Sequence, residues 1–248
     1  MSSTSHPAPR LYQRVAEQIS AYARQHRIEP GQRLPSEKDL AKQLNVSRPT
    51  IREAMIALEI AGQLEIRLGS GAYIRQAPNH VPLLLDAGPG PFELLRARLL
   101  IEGESAADAA LHASAEQLKQ IEATIREMKA LLAAGQNAQI TDRRFHVAIA
   151  EAAGNNVVAN IVDSLWGGIF SPIFHSLSHL AGLQHHQKMT LRDHQAIFAA
   201  IKARDPHAAR AAMRAHLRHV EDILAGKPEK AIPAQKKAAK KSARSKPA

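Results

Sequence analysis

Four residues in the second half of the chain have the types and spacing of a metal site. Asp142 and His146 stand four positions apart, so on a helix they project from one face. His194 and His216 fall in two later segments divided by Arg204-Asp205-Pro206, and antiparallel packing of those segments would carry both opposite the first pair. Three imidazoles and one carboxylate suit zinc or another first-row divalent ion, and the mixed nitrogen and oxygen donors leave Zn, Mn, Ni and Co all admissible. Spacing alone is weak evidence in a chain with 13 histidines. His175, His179, His185, His186 and His219 follow no such pattern and read as surface or pocket-lining residues. Arg98 and Glu102 are a second candidate, again four apart. Turned inward, the arginine could clamp a ligand carboxylate with two parallel hydrogen bonds; turned outward, the two would form an ordinary helical ion pair of a few tenths of a kcal/mol. Asn155, following Gly154, reads as a helix-end residue rather than a ligand contact.

The elements that must position these groups are helical. From Phe92 to about Leu224 the sequence is Ala-rich and punctuated by Ser114 with Gln117 as a capping box, by Gly135, by Gly154-Asn155, and by Asp205-Pro206 as N-cap and first helical residue. No strand-like alternation interrupts it. Six or seven helices in an antiparallel bundle, with a pocket between facing helices, are expected over 92–225.

The first third of the chain is patterned differently. Leu11, Val15, Ile19 and Tyr22 mark a helix that ends before Pro30-Gly31. Ser36 can cap a short helix carrying Leu40 and Leu44, Asn45-Val46 forms the turn, and Ser47 caps a second helix with Pro49 in its first turn and Ile51, Met55 and Leu58 facing inward. Arg48, Thr50 and Arg52 are left on the opposite face. Leu64, Ile66 and Leu68, then Tyr73-Ile74, predict two strands joined at a tip where Gly69 and Gly71 allow a tight turn. This is a winged helix-turn-helix over 8–75, whose second helix would enter the DNA major groove with its N-terminal residues on bases and phosphates. Residues 76–91, rich in Pro and Gly, read as a linker.

Composition limits the remaining possibilities. The 248 residues carry no cysteine, which excludes disulfides and thiolate metal sites and suits a reducing cytoplasm. The N-terminus is polar, and no apolar run approaches the roughly 20 residues that span a bilayer, so a soluble, cytoplasmic protein without membrane contact is expected; nucleoid association would follow from DNA binding. Of the net charge of +10, the segment from Lys227 onward supplies +7, from eight Lys or Arg against Glu229, leaving +3 for everything before it. The expectation for 226–248 is a disordered basic tail that holds DNA phosphates without sequence preference, or merely keeps the protein soluble. A nonspecific DNA packager would depend on that tail; the helix-turn-helix argues instead for sequence-specific binding.

The stretch LPSEKDLAKQLNVSRPTIREAMIALEIAGQLEIRLGSGAYI closely resembles the N-terminal module of the GntR family of bacterial transcription regulators, over Leu11 to Ile74. The resemblance implies operator contacts by Ser47, Arg48, Thr50 and Arg52, with Gly69 on the wing. Lys38 stands where many relatives have arginine, and its point charge lacks the two-pronged fork that reads guanine. Residues 92–224 resemble the all-helical FCD effector domain of the FadR subgroup. Asp142 and His146 in TDRRFHVAIAEAAGNN, His194 in LRDHQAIFAAI and His216 in MRAHL match its metal-ligand pattern, and ELLRARLLIEGE resembles its first helix. The implied protein is a homodimeric, non-enzymatic regulator of mainly α structure, binding double-stranded operator DNA, a divalent metal and a small carboxylate effector. AGPGPFELLRARLLIEGE and the Trp166 neighbourhood are most similar to regulators of hexuronate catabolism, usually repressors released by their ligand. Regulators of lactate or other organic acids are the alternative. A metal-dependent hydrolase is the rival of another class, but it would need an acid or base beside the metal that no motif nominates.

Overall fold

The computed structural model describes residues 9–76 and 87–227. Most of the linker and nearly all of the tail expected above, 77–86 and 228–248, lie outside the described residues. The fold is mainly α, with a winged helix-turn-helix followed by a helical bundle.

The N-terminal unit contains α1 (Leu11–Gln25), α2 (Glu37–Gln43), α3 (Arg48–Ile60), β1 (Leu64–Arg67) and β2 (Gly71–Ile74). The Ser36 hydroxyl accepts from Asp39 N and starts α2, and the Ser47 hydroxyl accepts from Thr50 N and starts α3, each satisfying an amide that has no partner inside its helix. Asn45 takes φ +52° in the turn between them, a left-handed conformation that asparagine tolerates. Val15, Ile19, Leu40, Ile51, Leu58 and Leu64 close a small core. The strands pair antiparallel from Leu64 opposite Ile74 to Arg67 opposite Gly71. Leu68, expected within the first strand, instead sits at the wing tip and is 75% exposed. The reason is local: Ser70 N bonds Arg67 O at 2.9 Å and Gly69 takes φ +73°, which turns the chain immediately after Arg67.

The bundle comprises α4 (Pro91–His112), α5 (Ala115–Ala133), α6 (Gln139–Ala152), α7 (Asn156–Ile169), α8 (Pro172–Leu180), α9 (Gln187–Lys202) and α10 (Pro206–Leu224), with a 3-10 turn at Leu183–His186. Its caps follow the sequence signals: Ser114 and Gln117 form the capping box of α5, and Asp205 accepts from Ala208 N at 2.9 Å with Pro206 as the first residue of α10. Asn155 caps the start of α7, accepting from Val157 N and Val158 N, while Gly154 with φ +79° follows α6. Phe145, Ile149, Trp166, Ile197, Met213 and Leu217 fill the core. No single helix among the described residues is long and apolar enough to cross a membrane.

The two units meet along α3. Tyr12 and Ile56 from the N-terminal unit join the bundle core, and the Tyr12 hydroxyl donates to Gly88 O at 2.9 Å. Glu53 of α3 is only 6% exposed and accepts from Phe92 N, at the start of α4, at 2.9 Å. Burial pushes the Glu53 carboxyl up to about 7 despite that amide bond, with Glu93 adding repulsion. A carboxyl whose folded pKa lies above its unfolded value contributes stability at low pH and loses it as pH climbs, here between about 4.5 and about 7. At about 1.4 kcal/mol per pKa unit the loss amounts to roughly 3 kcal/mol. Glu53→Gln, which keeps the acceptor for Phe92 N, should remove that part of the slope and be the more stable protein at pH 8. Urea titrations of both forms at pH 5 and pH 8 test this; parallel pH profiles would show that Glu53 is ionised at little cost.

Candidate functional site

Helices α6, α9 and α10 bring Asp142, His146, His194 and His216 to one point. His194 Nε2 lies 3.4 Å from His216 Nε2 and 3.3 Å from Asp142 Oδ1, and His146 Nε2 is 3.4 Å from the same carboxylate oxygen. One nitrogen from each of the three imidazoles falls within 4.8 Å of the others, and all three rings are buried. Asp142 Oδ1 and His146 Nε2 are buried with no hydrogen-bond partner among the described residues. Leaving such atoms unsatisfied costs about 1–3 kcal/mol each. A divalent ion would satisfy them, so the donor set fits a metal.

The surrounding charges favour that state. Burial alone would raise the Asp142 carboxyl, but His194 and His146 outweigh it and hold it well below the ordinary range. Burial pushes His194 well below the usual imidazole value despite Asp142, and lowers His216 despite Asp193. Both rings are thereby neutral, as ligation requires. Burial also acts against a charged His146, yet Glu102 and Asp142 overcome it and raise that ring.

Two carboxylates stand behind the imidazoles. Glu102 Oε2 lies 2.5 Å from His146 Nδ1, and Asp193 Oδ2 lies 3.5 Å from His216 Nδ1 and 2.9 Å from His219 Nδ1. A carboxylate on the outer ring nitrogen fixes the tautomer and turns the other nitrogen toward the metal position. Sequence spacing pairs Glu102 with Arg98 alone and passes over Asp193, whose position next to His194 is the one available signal.

Arg98 is neither the exposed ion pair nor a freely reaching clamp. The pair is buried: Arg98 Nε donates to Glu102 Oε1 at 2.5 Å, and the guanidinium stacks 4.3 Å over the Trp166 ring. Burial would raise Glu102, but Arg98 and then His146 bring it down to about 2. Arg98, Asp142, His216 and Trp166 border a cavity of about 550 Å³, which also meets His175, His179 and Ser178. The Trp166 Nε1–H and Ser178 Oγ are buried without partners among the described residues, leaving polar atoms for a ligand. The cavity therefore joins a charged pole to apolar walls with a few polar positions, the usual make-up of a small-molecule site.

The residues expected to read DNA are placed unevenly. Lys38, Ser47, Arg48 and Gly69 are exposed, and Lys38, Arg48 and Gly69 rim a cleft of about 500 Å³ between α2, α3 and the wing. Thr50 is 8% exposed, its hydroxyl 2.8 Å from that of Ser47 within the cap. Arg52 is turned inward: Nε and Nη2 grip both oxygens of Glu37 at 2.8 and 2.7 Å, and Nη1 donates to Leu224 O at the end of α10 at 3.0 Å. Contact of Thr50 or Arg52 with DNA would require these bonds to open. Leu224, the second partner of Arg52, is 172 residues away, beyond any local pattern.

Comparison with known proteins agrees with both halves. Residues 11–74 match the family described as bacterial regulatory proteins, gntR family, and residues 93–219 match the FCD domain. The Uxu operon transcriptional regulator of Escherichia coli is 35% identical over 232 residues, covering 90% of this chain and 89% of that one. The Uxu operon regulator of Haemophilus influenzae is 33% identical, covering 86% and 81% respectively. The Exu regulon transcriptional regulator of Escherichia coli is 33% identical, covering 87% and 84%. These relatives are regulators of transcription and not enzymes, and this chain belongs to the GntR family of bacterial regulators, with an FCD domain following its DNA-binding module.

Proposed function

We propose that this protein is a cytoplasmic, nucleoid-associated homodimer that represses a sugar-acid catabolic operon, the effector being a hexuronate. The carrying observation is the cluster of three buried imidazoles beside Asp142, of which His216 and Asp142 border the same cavity as Arg98. The Uxu and Exu regulators among its relatives support the choice of acid. Zinc is the metal favoured by a three-histidine, one-carboxylate set. Bound there, it would supply a Lewis-acidic position for the effector's carboxylate. Arg98 provides positive charge for the same group, and Trp166 Nε1 and Ser178 Oγ offer hydrogen bonds to hydroxyls farther along the sugar.

DNA recognition falls to Lys38, Ser47 and Arg48 at the helix-turn-helix, with Gly69 on the wing and Arg52 and Thr50 available only after rearrangement. Helix α10 carries His216 and ends at the carbonyl held by Arg52, so an effector that displaces α10 changes how α3 is held. Such an effector must bind one of the two poses better than the other to shift their populations.

Metal analysis of the purified protein, with thermal-shift measurements against galacturonate, glucuronate, aldonates, lactate and dicarboxylates, tests this reading. The hexuronates should raise Tm in the metal-loaded protein, dissociate it from operator DNA, and do neither in His146→Ala. A response to lactate alone would replace the hexuronate assignment. Metal without a response to any acid would overturn the effector role of the cavity.

A further inference from the structure

The segment that joins α1 to α2 runs antiparallel along β2. Gly31 N donates to Ile74 O at 2.8 Å, Ile74 N to Gln32 O at 2.9 Å and Leu34 N to Ala72 O at 2.8 Å, and Arg33 stands directly opposite Tyr73. Opposed residues of an antiparallel ladder share a face, and neighbours along a strand alternate between faces. Leu34, Leu64 and Ala72 accordingly lie on the face that closes the small core. Arg33 falls on the other face, with Tyr73 and with Arg67, whose guanidinium covers the Tyr73 ring at 4.3 Å. Its side chain lies across the wing: a β-carbon built on Gly71 would sit 2.6 Å from Arg33 Nε and 3.1 Å from Nη2.

Arg33, Lys38, Arg48, Arg52 and Arg67 all border the cleft between α2, α3 and the wing. Three of these cations are already engaged. Arg48 lies 3.6 Å and Arg52 2.7 Å from the same Glu37 oxygen, and Arg67 is bound to Glu65 at 3.0 Å. Arg33 and Lys38 are exposed and have no acidic partner among the described residues. Lys38 is a point charge, whereas Arg33 offers a planar fork on a backbone that β2 holds in place. When a recognition helix occupies the major groove and a wing the adjacent groove, the sugar-phosphate backbone dividing the two grooves runs between those elements. That space is the cleft. Leu180, Ala181 and Gly226 border it from the bundle side, and they must draw back with the Arg52–Leu224 contact for a duplex backbone to enter.

The geometry points to Arg33 as a phosphate clamp, its guanidinium taking two oxygens of one phosphate on the backbone between α3 and the wing and so fixing how the wing sits on the duplex. The inference rests on the DNA-binding role of the N-terminal module and adds to it a residue outside the recognition helix. Such a contact sets position and affinity without reading sequence.

The test uses the full chain, Arg33→Gln and Arg33→Lys, with a duplex that the unaltered protein has selected from a random-sequence pool and a scrambled duplex of equal length. Arg33 has no side-chain partner to lose among the described residues, so both variants should melt with the parent. Anisotropy titrations across a range of salt concentrations give the slope of log K against log salt. For each half-site occupied, Arg33→Gln should lower that slope by about 0.9 and the affinity near physiological salt by roughly fivefold. Both duplexes should lose equally. Arg33→Lys keeps the charge and should retain the slope while binding less tightly than the parent. Duplexes with a single uncharged methylphosphonate at successive positions then locate the contact: one position per half-site should weaken the parent and leave Arg33→Gln indifferent. An unchanged slope in Arg33→Gln, or the same methylphosphonate profile in parent and variant, would overturn the inference. A fall in the ratio between selected and scrambled duplex would make Arg33 a base reader and overturn the phosphate assignment. Failure of the unaltered protein to select any duplex would instead count against the DNA-binding reading itself.

Discussion

His194→Gln, in which the side-chain volume is nearly kept, should purify with almost no bound metal and should no longer be stabilised by metal addition. The imidazole it replaces is fully buried, tilted against Phe145 at 4.3 Å, and central to the cluster, within 3.4 Å of both Asp142 and His216. A metal present at about 1,000 times its Kd stabilises the form that binds it by about 4 kcal/mol. In a chain of this size each kcal/mol moves Tm by about 2–4 °C, so a metal-dependent rise of roughly 10 °C should be present in the parent and absent in the variant. Elemental analysis and melting curves with and without chelator give the answer. His194→Ala serves as the companion that also removes volume. Stoichiometric metal and an undiminished shift in His194→Gln would remove His194 from the ligand set.

Glu102→Ala should be among the most destabilising single changes in the bundle, although Glu102 is not itself placed among the ligands. The carboxylate is 1% exposed and holds both Arg98 and His146. Removing it leaves a buried guanidinium uncompensated, and breaking a buried pair from one side costs about 3–5 kcal/mol. The penalty belongs to the orphaned arginine, so Arg98→Met combined with Glu102→Leu should regain most of the stability. Because it lacks both the Arg98 charge at the cavity and the carboxylate behind His146, the double variant should still lose its response to the proposed acid effector and bind metal more weakly. Urea unfolding measures the first effect and metal competition the second. A loss below about 1 kcal/mol for Glu102→Ala would mean that water or backbone replaces the carboxylate at Arg98.

These residues mark what can be read from the chain. Helix starts at Ser36, Ser47, Ser114 and Asp205 are legible because capping is a local event, completed within three residues. The gathering of Asp142, His146, His194 and His216 is legible from spacing only in part; the family resemblance supplies the rest. What escapes lies between helices. The i,i+4 rule finds Arg98 beside Glu102, but His146, on another helix, is invisible to it. Arg52 has the position and charge of a base-reading residue. Its bonds to Glu37 on α2 and to Leu224 at the end of α10 reach elements outside its own helix. Leu68 misleads because hydrophobic alternation continues one residue past the point where Gly69 turns the chain.

The Arg52–Leu224 hydrogen bond ties the recognition helix to the helix that carries His216, eight residues and so about 12 Å upstream along α10. Free energy exchanged along such a connection runs equally in both directions. If an acid in the cavity weakens operator binding by some factor, operator binding must weaken acid binding by that same factor. The promoter is then itself an antagonist of the ligand, and a chain already seated on DNA needs a higher concentration of the acid to respond than one that is free.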